Sequence, residues 1–145
     1  MRANKQDRGS LMLDHHSALI HTMVLASAAG HGVTDAELHT IGDIVTHLPI
    51  FADFDKTLLP KTLAACSDLL QKENGLDLAL KDIRAALPPR LRETAYALAC
   101  DIVASDGEAS QDELRFLELL RDRLPIERLI AAGIERGARA RFMTA

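Results

Sequence analysis

The chain has 145 residues, of which 48% are hydrophobic, and this length and composition suit one domain with a substantial core rather than a disordered chain. Aromatic residues make up only 3% and Trp is absent, so the core must be built from Leu, Ile, Val and Ala, which favours helices over strands. The net charge of −4 argues against a nucleic-acid partner, which would require a basic stripe.

The N-terminal end predicts a soluble, cytoplasmic protein. The opening residues MRANKQDRGS are polar and lack the apolar region and cleavage site of a secretory signal. The apolar run SALIHTMVLASAA is shorter than the roughly 20 residues that span a bilayer. We therefore expect residues 1–12 to form a flexible leader and residues 13–145 to form a single domain. Cys66 and Cys100 lie in apolar helical patterns and are predicted to be free and buried.

The first half of the chain predicts four helices. The first follows the capping residue Asp14 and continues to about Ala29, where Gly-His-Gly interrupts it. The second begins at Thr34 and ends before Pro49. After the connector IFADFD, a third covers about 58–73, and Gly75 is predicted to terminate it. A fourth covers about 76–86.

The second half predicts three more helices. Prolines 88 and 89 separate the fourth helix from a fifth, over about 91–105. The sixth begins at Ser110 and continues to about Leu124, and a short seventh covers about 126–137. Because no segment alternates between apolar and polar residues as a strand does, the predicted fold class is all-α, a bundle of about seven helices.

Two stretches of the chain are similar to each other. AAGHGVTDAEL (28–38) aligns with ASDGEASQDEL (104–114) at an offset of 76 residues. The alignment predicts two pseudo-symmetric helix–loop–helix halves with their loops at the same end of the bundle. The second copy has Asp106 and Glu108 where the first has Gly30 and Gly32. This asymmetry requires an explanation.

Both copies contain the pattern of a capping box. Thr34 is followed three residues later by Glu37, and Ser110 by Glu113. In such a box the hydroxyl accepts the N3 amide proton, and the N3 carboxylate accepts the N-cap amide proton. Capping accounts for these four residues without any further function.

Four acidic residues lie within thirteen positions of the second copy: Asp101, Asp106, Glu108 and Glu113. Their carboxylates are hard oxygen ligands of the kind that Ca²⁺, Mg²⁺ or Mn²⁺ prefers. The spacing is not that of an EF-hand. In the alternative interpretation, Asp101 pairs with Arg92 or Arg121 and Asp106 only forms an Asp-Gly turn.

The histidines offer a second candidate. His39, Asp43 and His47 fall on one face of the second helix, a spacing that can hold a transition metal but also occurs on ordinary polar faces. His21 lies in an apolar stretch and is predicted to be packed rather than catalytic. The chain has no P-loop, Gly-x-Ser-x-Gly or His-Glu-x-x-His motif.

The repeated loop, Ala-x-Asp-Gly-x-apolar-Ser/Thr-x-x-Glu, resembles that of the tellurite-resistance TerB-like family, which includes the TerB-like domain of the co-chaperone DjlA. The resemblance covers roughly residues 14–135. It implies a helical bundle of two pseudo-symmetric halves, an acidic cluster that binds divalent metal, and a role in tellurite and stress resistance through protein complexes, often near membranes. It implies no enzymatic activity. Asp106 matches the family's loop aspartate, Glu37 and Glu113 match its helix-opening glutamates, and Gly30 replaces the loop aspartate of the first half.

Three hypotheses follow. The first is a non-enzymatic TerB-like module that binds a divalent cation, a partner protein, or both; its metal ligands would be Asp106, Glu113, Glu37, Asp101 and Glu108. The second is a metal-dependent hydrolase that uses the same acids. The third is a structural helical protein that forms a homodimer through an apolar surface.

Overall fold

A computed structural model of the protein describes residues 13–30 and 32–145. The seven α-helices of this part are α1 (His15–Ala28), α2 (Asp35–His47), α3 (Leu59–Leu70), α4 (Gly75–Ala86), α5 (Pro89–Ala104), α6 (Gln111–Arg123) and α7 (Arg128–Arg141). Two short 3₁₀ turns, Pro49–Phe51 and Lys56–Leu58, lie between α2 and α3. No strand is present in the described ranges, so the all-α prediction is confirmed.

Helix α1 is the central helix of the bundle. Every residue from 18 to 27 is buried, including the polar His21, Thr22 and Ser27. A helix that is buried on all sides must be surrounded by other helices. Its most extensive contact is with α5, its counterpart in the repeat, and α3 and α4 pack against it as well. The two halves therefore share one core.

Local signals in the sequence fix the helix starts. The Asp14 carboxylate accepts a hydrogen bond from the Ser17 amide at 2.7 Å and caps α1. Pro89 occupies the first turn of α5, where the missing N–H costs nothing. These boundaries agree with the predicted ones to within one or two residues, apart from two differences.

The first difference concerns Gly75, whose predicted role as the terminator of the third helix is wrong. Helix α3 already ends at Leu70, and Gly75 is the first residue of α4. Asn74 has the left-handed conformation, with a φ of 66°. Gly75 is required because a Cβ there would lie 2.3 Å from the Leu69 carbonyl oxygen.

The second difference is that α7 continues beyond its predicted end to Arg141. Arg139 and Arg141 lie in its last turn, where positive charge interacts favourably with the helix dipole. The basic residues near the C-terminal end of the chain are thus part of a helix.

Three further predictions concern the cysteines, membrane-spanning helices and the leader. Cys66 and Cys100 are free and buried, as predicted. None of the helices in the described ranges is both long and apolar enough to cross a membrane. The predicted leader, residues 1–12, lies outside the described residues and stays a prediction.

Candidate functional site

The two repeated loops meet at one end of the bundle and enclose a cavity of about 330 Å³, here called the acidic pocket. The first half contributes Gly32, Thr34 and Glu37, and the second contributes Asp106, Glu108, Ala109, Ser110 and Glu113. Four of the five predicted metal-ligand residues are therefore brought together, and both halves contribute to the pocket.

Both predicted capping boxes are present and direct the glutamates inward. The Thr34 hydroxyl accepts the Glu37 amide at 3.1 Å, and Glu37 Oε1 accepts the Thr34 amide at 3.2 Å. The corresponding distances for Ser110 and Glu113 are 3.1 and 2.8 Å. Glu37 is only 1% exposed and Glu113 only 6%. Each buried carboxylate thus uses one oxygen in its cap.

The second loop reaches across to the cap of the first half. The Thr34 hydroxyl donates a hydrogen bond to Asp106 Oδ1 at 3.3 Å. Burial raises the pKa of the Glu37 carboxyl, and the negative Asp106 beside it raises that pKa further. Two carboxyl groups from different halves of the molecule, those of Glu37 and Asp106, therefore lie next to each other.

The first loop makes the reciprocal contact without an acid. Gly30, which aligns with Asp106, lies against the cap of the second half, and a Cβ at Gly30 would be 3.1 Å from Glu113 Cδ and Oε2. Any side chain there would require the buried Glu113 to shift. Gly30 has no left-handed φ, unlike Gly32 and Gly107 at 94° and 93°. The lack of space beside Glu113, rather than a need for backbone freedom, accounts for the glycine at position 30.

Asp101, the fifth predicted ligand, does not line the pocket. Its carboxylate pairs with Arg141 at 2.5 Å, so the charge is neutralised within the bundle. The alternative interpretation was right in kind but wrong about the partner. Arg92 donates to the backbone carbonyls of Leu87 and Arg84, and Arg121 pairs with Glu135 at 3.2 Å.

The three residues of the histidine candidate, His39, Asp43 and His47, are not arranged as a metal site. His39 Nε2 is 4.0 Å from Asp43 Oδ2, whereas the His47 ring donates to the Asp43 backbone carbonyl at 3.0 Å. His21 is buried and its ring donates to the Thr62 carbonyl at 3.2 Å, and burial lowers its pKa. Across residues 13–30 and 32–145, no group of three or more His, Cys, Asp or Glu side chains is arranged to hold a metal ion.

Sequence reasoning missed Ser27. Its hydroxyl is fully buried, finds no hydrogen-bond partner within the described ranges, and lies near enough to Glu37 to lower the pKa of that carboxyl. The signal was available in the repeat, because Ser27 aligns with the apolar Val103. The polar residue that replaces an apolar one in the other copy thus lies beside Glu37, although it does not line the pocket itself.

Comparison with known proteins agrees with this architecture. The family model for tellurite resistance protein TerB matches residues 16–132, which is most of the chain and includes both loops and both capping boxes. Comparisons with curated proteins and with solved structures give no match. On the family match and on the two-loop architecture, the chain belongs to the TerB family.

Proposed function

We propose that this TerB-family chain is a non-enzymatic binding module for tellurite and stress resistance, and that its acidic pocket binds a divalent cation. One observation carries the proposal: four carboxylates from two halves of the molecule line one cavity, and neither Lys nor Arg lines it with them. Such a concentration of like charge is unfavourable unless a cation, or a proton, compensates for it.

The contact between Glu37 and Asp106 supports the same proposal. The raised pKa of Glu37 means that its ionised form is disfavoured where it lies. A bound cation would reverse this preference, because positive charge near a carboxylate favours the ionised form. The buried Ser27 hydroxyl beside it is a further oxygen in the same region.

The donors fit a hard cation. The residues that would hold it are Asp106 and Glu108, whose side chains are exposed, together with Glu37 and Glu113, each of which uses one oxygen in its cap. Ca²⁺ tolerates irregular geometry, whereas Mg²⁺ requires a near-ideal octahedron. Because the carboxylates are not already arranged to ligate an ion, we expect weak binding with a preference for Ca²⁺ or Mn²⁺.

The pocket offers little for catalysis. The Thr34 and Ser110 hydroxyls are engaged in capping boxes. Among the described residues, the lining of the pocket includes no His or Cys that could serve as a general base or nucleophile. These features favour the binding module over the metal-dependent hydrolase.

The test is a series of melting curves on chelator-treated protein with added Ca²⁺, Mn²⁺ or Mg²⁺. A ligand at 100 times its dissociation constant stabilises the folded state by ~2.7 kcal/mol, so millimolar Ca²⁺ or Mn²⁺ should raise the melting temperature. Asp106→Asn should abolish that rise, and it should not lower the metal-free melting temperature, because it removes one of the like charges. Asp112→Asn removes an exposed acid that does not line the pocket and should retain the full rise.

A Gly30→Asp variant provides a gain-of-function arm. The new carboxylate would displace Glu113, so the metal-free protein should be less stable than wild type. The added acid should in turn enlarge the rise with Ca²⁺. If no divalent ion shifts the wild-type curve and Asp106→Asn has no effect on it, the cation proposal is wrong and the acids serve only in caps and turns.

A further inference from the structure

A second cavity adjoins the acidic pocket. It is a groove of about 590 Å³ between α5, α6 and α7, and it shares Glu108 and Ala109 with the pocket. This volume lies within the roughly 300–1,000 Å³ range of ordinary ligand sites. Its apolar lining includes Val103, Ala104, Leu114, Leu117 and Ala138. We refer to it as the α5–α7 groove.

Leu114 is the most informative residue of the groove. It is 46% exposed on the first turns of α6, one position after the capping Glu113. Its repeat equivalent Leu38 is also 46% exposed and has the same position in α2, but Leu38 does not line the groove. The repeat thus provides two leucines that match in helix position and exposure and differ in their relation to the groove.

The groove lining has three acids, Glu108, Glu118 and Glu135, and two arginines, Arg121 and Arg139. Arg121 is neutralised by Glu135 at 3.2 Å, and Glu135 also accepts a hydrogen bond from the Tyr96 hydroxyl at 2.5 Å. Within the described ranges, Glu108 and Glu118 form no ion pair. Of the two arginines that line the groove, Arg139 forms no ion pair with the described residues. The adjoining pocket adds the acids Glu37, Asp106 and Glu113 and no Lys or Arg, so acidic residues outnumber basic ones across the two cavities.

We infer that the α5–α7 groove binds a segment of a partner protein in which an apolar side chain lies about 6 Å from a Lys or Arg side chain. The spacing follows from α6, because Leu114 and Glu118 are one turn apart and neighbouring side chains at that separation have Cβ atoms about 5–6 Å apart. The apolar side chain packs against Leu114 and the groove floor, and the cationic group pairs with Glu118 or Glu108. Charge complementarity selects this occupant over an acidic segment.

The experiment selects binders from a phage-displayed random 12-residue library on the full-length chain in the presence of chelator. The selected peptides should combine Leu, Ile, Met or Phe with Lys or Arg two to four positions away. One such peptide is then synthesised and its dissociation constant is measured by fluorescence anisotropy. Because chelator is present throughout, the result does not depend on whether the pocket binds a cation.

Two matched pairs of variants test the placement. Leu114→Asn should weaken peptide binding by about tenfold or more, whereas Leu38→Asn should bind as wild type does. Glu118→Gln should weaken binding and reduce its salt dependence, whereas Glu73→Gln, an exposed acid between α3 and α4, should change neither. Melting curves of each pair show whether both members are folded.

Three results would overturn the inference. One is a selection without enrichment, or with enrichment of peptides that lack a cationic residue. Another is equal loss of binding in Leu114→Asn and Leu38→Asn. The third is a dimer in sedimentation velocity that Leu114→Asn dissociates, because a second copy of the chain would then cover the groove.

Discussion

Glu37 and Asp106 show how one acid can serve helix initiation while another brings a charge beside it from the other half of the molecule. Glu37 is held by its capping box, so its buried position is a consequence of helix initiation. Asp106 has no part in that cap and instead brings a second negative charge to it from the other half. The first loop has Gly30 in the equivalent position, where Glu113 occupies the space. Steric room thus disfavours an acid at position 30, the first-loop counterpart of Asp106.

The raised pKa of Glu37 makes stability depend on pH. Between its ordinary pKa of 4.5 and its raised folded-state pKa, the folded protein retains a proton on Glu37 that the unfolded chain has released. Stability contributed by this group is therefore greatest at low pH and is lost as the pH rises through the raised folded-state pKa. Glu37→Gln should flatten this part of the profile in chelator, because the Gln side chain does not titrate. The variant should keep the cap, because Gln also supports a capping box.

Urea unfolding between pH 4 and 8 measures this effect. Asp106→Asn should flatten the same part of the profile, because it removes the neighbouring charge. Glu37→Ala, which loses the cap, should be less stable than Glu37→Gln at every pH. A Glu37→Gln profile that is parallel to that of wild type would show that Glu37 does not titrate abnormally.

At the scale of elements, the helices were predictable because their signals are local. Asp14, Thr34 and Ser110 are each followed by the amide that their side chain caps, and Pro89 marks the first turn of α5. The connections were less predictable. A glycine after a helical segment predicts a helix end, and the sequence predicts that role for Gly75. Glycine is required there because the Leu69 carbonyl approaches closely, a contact that only the folded chain reveals.

The capping boxes should make measurable contributions to stability. Thr34→Ala and Ser110→Ala should each lower the free energy of unfolding by about 1 kcal/mol, because each leaves an N3 amide without its acceptor. Thr46→Ala, at an exposed position within α2 whose hydroxyl donates to the Gly42 carbonyl, should be neutral or slightly stabilising. Urea unfolding at an unchanged m-value measures all three. Equal stability of Ser110→Ala and wild type would contradict a functional cap at α6.

At the scale of the whole molecule, the repeat predicted which loops come together but not which side chains pair. The offset of 76 residues brings Glu37, Asp106, Glu108 and Glu113 to one pocket, as expected for two related halves. Asp101 is instead paired with Arg141 on α7, a helix outside the repeated segments. Likewise, the groove beside the pocket exists only because α7 packs against α5. Contacts made by non-repeated elements leave no periodic signal.

The shared core predicts that the halves cannot fold separately. Helix α1 is buried on all sides, and its most extensive contact is with α5, which belongs to the second half. A fragment of residues 1–86 would expose much of α1, including Leu19, Ile20 and Met23, which are completely buried in the whole chain. At ~25 cal/mol per Å² of apolar surface left in water, that exposure exceeds what a small helical fragment can offset. We expect weak helicity and no cooperative thermal transition by circular dichroism, whereas the full chain should melt in one sharp step. Mixing the fragment with residues 87–145 should restore a cooperative transition, because the second fragment supplies α5. A sharp, reversible transition of the 1–86 fragment alone would show that the first half has a core of its own.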